Sequence, residues 1–181
     1  MSTLYTDNIR ANNASQITVP TGQKIVGTDA ASIVAPGHII QIQQSIVTTQ
    51  IESSAATGVV VDLGFLTSIT PSATSSKIMV NLANYSVLTR DASTVAKLFL
   101  QRRINNGSWS NICGIANYAG QGGSYEAYPN AMHIDSPNTT SQVDYRLTGQ
   151  RFGGSSSVAF HHDNNDTPEL ISTLTAMEIA Q

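Results

Sequence analysis

The chain has 181 residues, enough for one compact domain with or without an arm; 40% of them are hydrophobic and only 12% charged, about half the roughly 25% usual in globular proteins. Forty residues are Ser or Thr, so the polar surface is mostly uncharged. A net charge of −3 with nine scattered Lys and Arg argues against a nucleic-acid partner, and no apolar run approaches the roughly 18 residues of a membrane span.

The amino-terminal MSTLYTDNIR has neither a basic start nor an apolar stretch, so no secretory leader is expected. Residues 1–37 place apolar side chains in short pieces between Gly and Pro, none long enough to fold alone against about 1–2 kcal/mol of backbone entropy per residue. They read as an arm that orders only against identical chains or a larger assembly, with Ile9, Ile17, Val19, Ile25 and Ile33 as its anchoring residues. Pro36-Gly37 marks the junction with a second domain, 38–181.

From His38 onward the pattern is strand after strand, without a convincing helical period. HIIQIQQSIVTTQIES alternates apolar and polar side chains, and GVVVDLGFLTSITP anchors on Val59, Val61, Leu63, Phe65 and Ile69. SKIMVNLANYSVLT sets Ile78, Val80, Leu82, Asn84 and Ser86 on one face. VAKLFLQRRI and SWSNICGI flank Asn105-Asn106-Gly107, a hairpin signal because a type I′ turn needs positive φ at both central residues. Beyond a glycine-rich connection, MHIDSPNTTSQVDYRLTGQ reads as strand, turn, strand. VAFHHD and STLTAMEIA complete the set, the last apolar enough to lie inside a sheet. About eight strands at this spacing predict an all-β, antiparallel, jelly-roll-like sandwich.

No catalytic constellation is expected. His161-His162-Asp163 with Asp166 is the best metal candidate, but adjacent residues on a strand point to opposite faces, so a polar strand end is the better reading and no metal or other cofactor is expected. His133 and Asp135 share a face and suit a structural pair. Cys113 cannot staple the monomer and reads as a buried small hydrophobe of a chain made in a reducing compartment. The sequons at Asn13, Asn106, Asn138 and Asn165 follow from composition. Trp109, Tyr118, Tyr125 and Tyr128 fall near Asn117 and Gln121 and are candidate glycan contacts; packing over a sheet and at a subunit contact is the alternative.

Four segments carry a resemblance. The opening through GTDAASIVAPGHIIQIQ, then LGFLTSITPSATSSKIMV, HIDSPNTTSQVDYRL and LTAMEIA resemble, in this order, tail-fibre-like virion proteins of marine tailed phages, cyanophages especially. The resemblance implies a non-enzymatic virion component assembled in the host bacterial cytoplasm. It further implies a homotrimer with a jelly-roll head akin to the tumour necrosis factor fold, whose partners are other tail or capsid proteins. A short tail fibre or appendage, a capsid decoration or head fibre, and a host-glycan-binding module are the functions it leaves open. The long shaft of a classical fibre is missing from these 181 residues.

Overall fold

The computed structural model describes residues 21–22, 26, 35–119, 123–162 and 170–181. Ile9, Ile17, Val19, Ile25 and Ile33 of the expected arm lie outside the described residues, as do Gln121, Asp163 and Asp166. The compact unit that carries the sheets runs from Ala35 to Gln181.

Among the described residues there are thirteen strands and no helix. In chain order they are β1 (Ile39–Val47), β2 (Ile51–Ser53), β3 (Val60–Asp62), β4 (Thr67–Ile69), β5 (Lys77–Ala83), β6 (Val87–Thr89) and β7 (Val95–Ile104). There follow β8 (Ser110–Ala119), β9 (Tyr125–Ala127), β10 (Ala131–Asp135), β11 (Val143–Phe152), β12 (Val158–Phe160) and β13 (Ser172–Ile179). The sequence spacing predicts about eight strands and the structure has thirteen among the described residues; taken as five consecutive pairs (β1–β2, β3–β4, β5–β6, β9–β10, β12–β13) and three single strands they form eight runs, with VAFHHD and STLTAMEIA sharing one.

One four-stranded sheet has the order β1-β13-β5-β10 and another the order β2-β12-β6-β9. The partners match run for run, so the two sheets are the halves of one layer, interrupted across its middle. The second layer has the order β3-β11-β7-β8, with β4 continuing β3 along β11. Numbered by run, the layers read 1-8-3-6 and 2-7-4-5. That is the strand order of a jelly roll, two Greek keys wound into a sandwich with every described pairing antiparallel. The closing strand β13 lies between β1 and β5, inside its sheet.

The core fills the space between the layers. Leu63, Phe65, Ile78, Val80, Leu82, Tyr85, Leu98, Tyr145, Leu147, Phe160 and Leu174 are all buried there. Period-2 alternation builds most of it, and β5 alternates without a fault from Lys77 to Ala83. The expectation that Asn84 and Ser86 continue the Ile78 face is corrected at Asn84, whose φ of 56° breaks the strand. Asn84 is exposed, and Tyr85, Ser86 and Val87 are all buried. At Gly149 in β11 a Cβ would come within 2.5 Å of the Phe160 ring, so glycine there lets the first layer's aromatic sit against the second layer's backbone.

The hairpin forms between β7 and β8. Its two residues at positive φ are Asn105 (49°) and Asn106 (57°), with Gly107 donating its N–H to the Ile104 carbonyl at 2.9 Å. The left-handed pair is therefore Asn-Asn, and Gly107 is the residue after it. Asparagine tolerates this region because its short side chain bonds locally.

Candidate functional site

Of the metal candidate, His161 and His162 at the end of β12 are described, while Asp163 and Asp166 lie outside the described residues. The strand ends at Phe160, and His161 turns to positive φ (53°) and is buried, its Nδ1 2.7 Å from Ser172 Oγ. His162 instead places Nδ1 3.0 Å from Glu126 Oε1 on β9. The two rings thus serve separate partners, and among the described residues no group of three or more His, Cys, Asp or Glu is placed to hold an ion.

His133 and Asp135 do not pair. Asp135 accepts two hydrogen bonds from Arg102 Nη1 (2.8 and 3.0 Å), one from Tyr145 Oη (2.7 Å) and one from the Ser136 N–H (2.9 Å). This ties β10 of the first layer to β7 and β11 of the second through a carboxylate that is 7% exposed. Burial first, and then the Asp135 carboxylate, push the Tyr145 phenol far above its ordinary pKa, so it stays a donor. Cys113 is half-buried beside the core.

A second carboxylate, Glu178 on β13, points inward and is fully buried. It accepts from Gln41 Nε2 (2.6 Å), the Ser72 N–H (2.7 Å), Ser72 Oγ (2.6 Å) and Ser76 Oγ (2.7 Å). Burial pushes its pKa up, but the bonds from Gln41, Ser72 and Ser76 outweigh burial and leave it below the usual value. Among the described residues no guanidinium or ammonium touches it, and its donors there are all neutral. One buried anion thereby fastens β1, the loop before β5 and β13 together.

The outer face of the second layer carries the aromatic candidate Trp109. Arg146 Cζ lies 4.2 Å and Arg103 Cζ 4.7 Å from its ring centroid. Each guanidinium is also paired, Arg103 with Asp144 (2.7 Å) and Arg146 with Asp62 (2.9 Å). Beside this stack opens a cleft of about 260 Å³ lined by Asp62, Gly64, Phe65, Leu66 and the three stacked residues. The cleft presents the Trp109 indole with the guanidinium groups of Arg103 and Arg146 beside it and the Asp62 carboxylate at its wall. Tyr118 is half-buried at the far end of β8, some nine residues or roughly 30 Å along the strand from Trp109. Burial and then the nearby Tyr125 raise its pKa, so those two tyrosines are neighbours. Tyr128 is 61% exposed. Trp109 and Tyr118 therefore stand at opposite ends of β8, too far apart to share one ligand ring.

One feature of the surface is absent from the sequence reading. The outward residues of β1-β13-β5-β10 form a row across all four strands, Ile42–Met177–Met79–Ile134, set by the register Ile42↔Met177, Met177↔Met79 and Ile134↔Met79. Ile42, Ile46, Met132 and Ile134 are each more than half exposed. The signal was there in β5 and β13, where apolar residues occupy both parities of the alternation.

No protein-family model matches the chain, and no curated protein does. Solved structures of infectious bursal disease virus, Gx and Gt strains, are similar at a TM-score of 0.41 and 15% identity over 87% of this chain. A mutant VP2 protein of that virus, in derived T=1 particles, is similar at a TM-score of 0.35 and 16% identity. The chain spans about two-fifths of the length of those chains, 41% for the Gx strain. The assignment as a jelly roll rests on the strand order itself.

Proposed function

We propose that this chain is a non-enzymatic structural protein of a phage virion, a short homotrimeric tail fibre or appendage fixed to the particle by residues 1–37. The observation that supports this reading is where the four family-like segments meet. Glu178 of LTAMEIA takes its hydrogen bonds from Gln41 of HIIQIQ and from Ser72 and Ser76 of SITPSATSS. Lys77 of the same segment donates to Ser136 of HIDSP at 2.7 Å, and Asp135 of HIDSP holds Tyr145 of VDYRL. The pattern that resembles virion proteins is thus a set of clamps on a sandwich, which suits a protein whose task is mechanical.

Quantitative mass spectrometry of purified particles tests the reading. A copy number from a few to a few tens, divisible by three, supports the tail appendage. Copies in the hundreds move the chain to a capsid decoration or head fibre, and absence from the particle overturns the virion reading. A second role, contact with a host surface glycan, is favoured by the Arg–Trp cleft. On that reading Trp109→Ala weakens adsorption to host cells while particles still assemble; unchanged adsorption removes Trp109 from the role.

A further inference from the structure

The outer face of the second layer gathers charge at one place. In the register of β7 and β11, Arg103 stands opposite Asp144 and Gln101 opposite Arg146, so the two arginines are diagonal neighbours on one face. β8 pairs Ser110 with Arg102, which brings Trp109, the chain's single tryptophan, level with them. Both guanidinium carbons lie within 4.7 Å of the Trp109 ring centroid, so they are less than about 9 Å apart and repel one another. Each is anchored. Arg103 Nε donates to Asp144 at 2.7 Å, and Arg146 donates from Nε to Gln101 at 2.8 Å and from Nη1 to Asp62 at 2.9 Å. Among the described residues no acceptor is placed on either Nη of Arg103 or on Nη2 of Arg146.

We propose that the cleft beside Trp109 binds an acidic saccharide, its carboxylate or sulfate ester held on the outer edges of Arg103 and Arg146; the inference rests on the host-glycan reading and names the class of glycan. Three features point to an anion rather than a neutral sugar. First, donors are in surplus. The wall offers one carboxylate, Asp62, whose oxygens already accept from the Gly64 N–H (3.0 Å) and from Arg146. An acceptor-only group with two oxygens is the complement of the remaining guanidinium edges. Secondly, the bonds at Nε and the indole hold both guanidinium planes before a ligand arrives, so less side-chain freedom is lost on binding. Thirdly, the counter-charges leave room. Asp144 is 2% exposed behind Arg103, whereas Asp62 is 54% exposed, and an ion pair that open to water contributes little and yields to a bidentate one. A volume of about 260 Å³ suits one sugar ring, being smaller than the roughly 300–1,000 Å³ of sites for drug-sized ligands. Ring hydroxyls meet Asp62 there, and C–H groups meet the exposed Leu66. The chain as a whole carries −3, so its overall field does not draw an acidic glycan and the cleft itself must supply the attraction.

Because Trp109 is the single tryptophan, the indole fluorescence of the full chain reads this cleft directly. The probes are a galacturonic acid trisaccharide, the same trisaccharide with its carboxylates methyl-esterified, a sulfated galactose trisaccharide and inorganic sulfate. The expected result is a saturable change with the galacturonic acid trisaccharide and a dissociation constant about tenfold or more higher for the methyl ester. Arg146→Gln and Arg146→Lys should each weaken binding about tenfold, since lysine keeps the charge and loses the fork. Lys97→Gln removes an equal charge elsewhere on β7 and should leave binding unchanged. Circular dichroism shows whether each variant is folded, and the methyl ester carries the test if one is not, because it alters only the ligand. Binding of the sulfated trisaccharide in place of the galacturonic acid one supports the cleft and assigns the anion to a sulfate ester. A methyl ester that binds as tightly as the acid overturns the anion and leaves the glycan reading standing. Equal loss in Lys97→Gln and Arg146→Gln overturns the cleft, and inorganic sulfate binding as tightly as a trisaccharide overturns the saccharide. No response to any saccharide overturns the inference, and adsorption of Trp109→Ala particles then decides the glycan reading by itself.

Discussion

At the scale of single residues, the buried carboxylates decide how the sandwich responds to acid. Among the described residues Glu178 is held by four neutral hydrogen bonds, and its pKa lies below the ordinary 4.5. Asp144 is likewise depressed: burial raises it, and Gln142, Ser68 and Arg103 more than offset that. A depressed folded-state pKa contributes stability that is fully present above the unfolded value and lost as pH falls through the folded one. Thermal stability should therefore hold from neutrality to about pH 5 and decline below it. Glu178→Gln replaces an anion that only accepts by an amide that puts donors against the Ser72 and Ser76 hydroxyls. With hydrogen bonds to a charged group worth about 1.5–3 kcal/mol each, the variant should lose about 2 kcal/mol or more at pH 7. Melts followed by circular dichroism should show Tm lower by about 4–8 °C at pH 7 and a smaller gap at pH 3. An equal gap at both pH values would remove the carboxylate's charge from the explanation.

At the scale of elements, period 2 made the strands readable, and local backbone chemistry made one turn readable. Asn105-Asn106-Gly107 could be assigned to a hairpin before any coordinates because few residues accept positive φ twice in succession. The turn predicts that Asn106→Val, a β-branched side chain at φ 57°, costs about 1–2 kcal/mol in urea unfolding, while Asn106→Gly is neutral or stabilising. A Val variant as stable as the parent would contradict the left-handed turn. What could not be read locally has a common cause. Glu178 looks like an exposed charge in an apolar strand, since its serine donors stand 102 and 106 residues away. The break at Asn84 was missed because alternation was extended through it, and Asn130 Oδ1, which accepts its N–H at 3.0 Å, is 46 residues distant. The outer row of Ile and Met was missed for another reason. Alternation by itself implies one apolar face, whereas β5 and β13 carry apolar side chains on both.

At the scale of the whole molecule, the sandwich and the proposed anchoring arm occupy separate stretches of the chain. Among the described residues every side chain of the core cluster comes from Val47 onward, and the compact unit begins at Ala35. Its first strand is closed onto its last by backbone bonds, Gly37 N–H to the Ala180 carbonyl (2.8 Å) and Ala180 N–H to the His38 carbonyl (2.9 Å). A chain truncated to start at Ala35 keeps these bonds, the Glu178 clamp and the whole jelly roll. It should melt cooperatively within about 5 °C of the full chain, since a stability change of about 1 kcal/mol moves a domain of this size by about 2–4 °C. Particles grown with the truncated chain should lack it, because residues 1–37 are proposed to carry the docking and the truncation removes 1–34 of them. A truncated chain that fails to fold would make those residues part of the domain, and one that still enters particles would move the docking to the sandwich. Folding with loss of incorporation is the outcome expected of a head and a separate anchor.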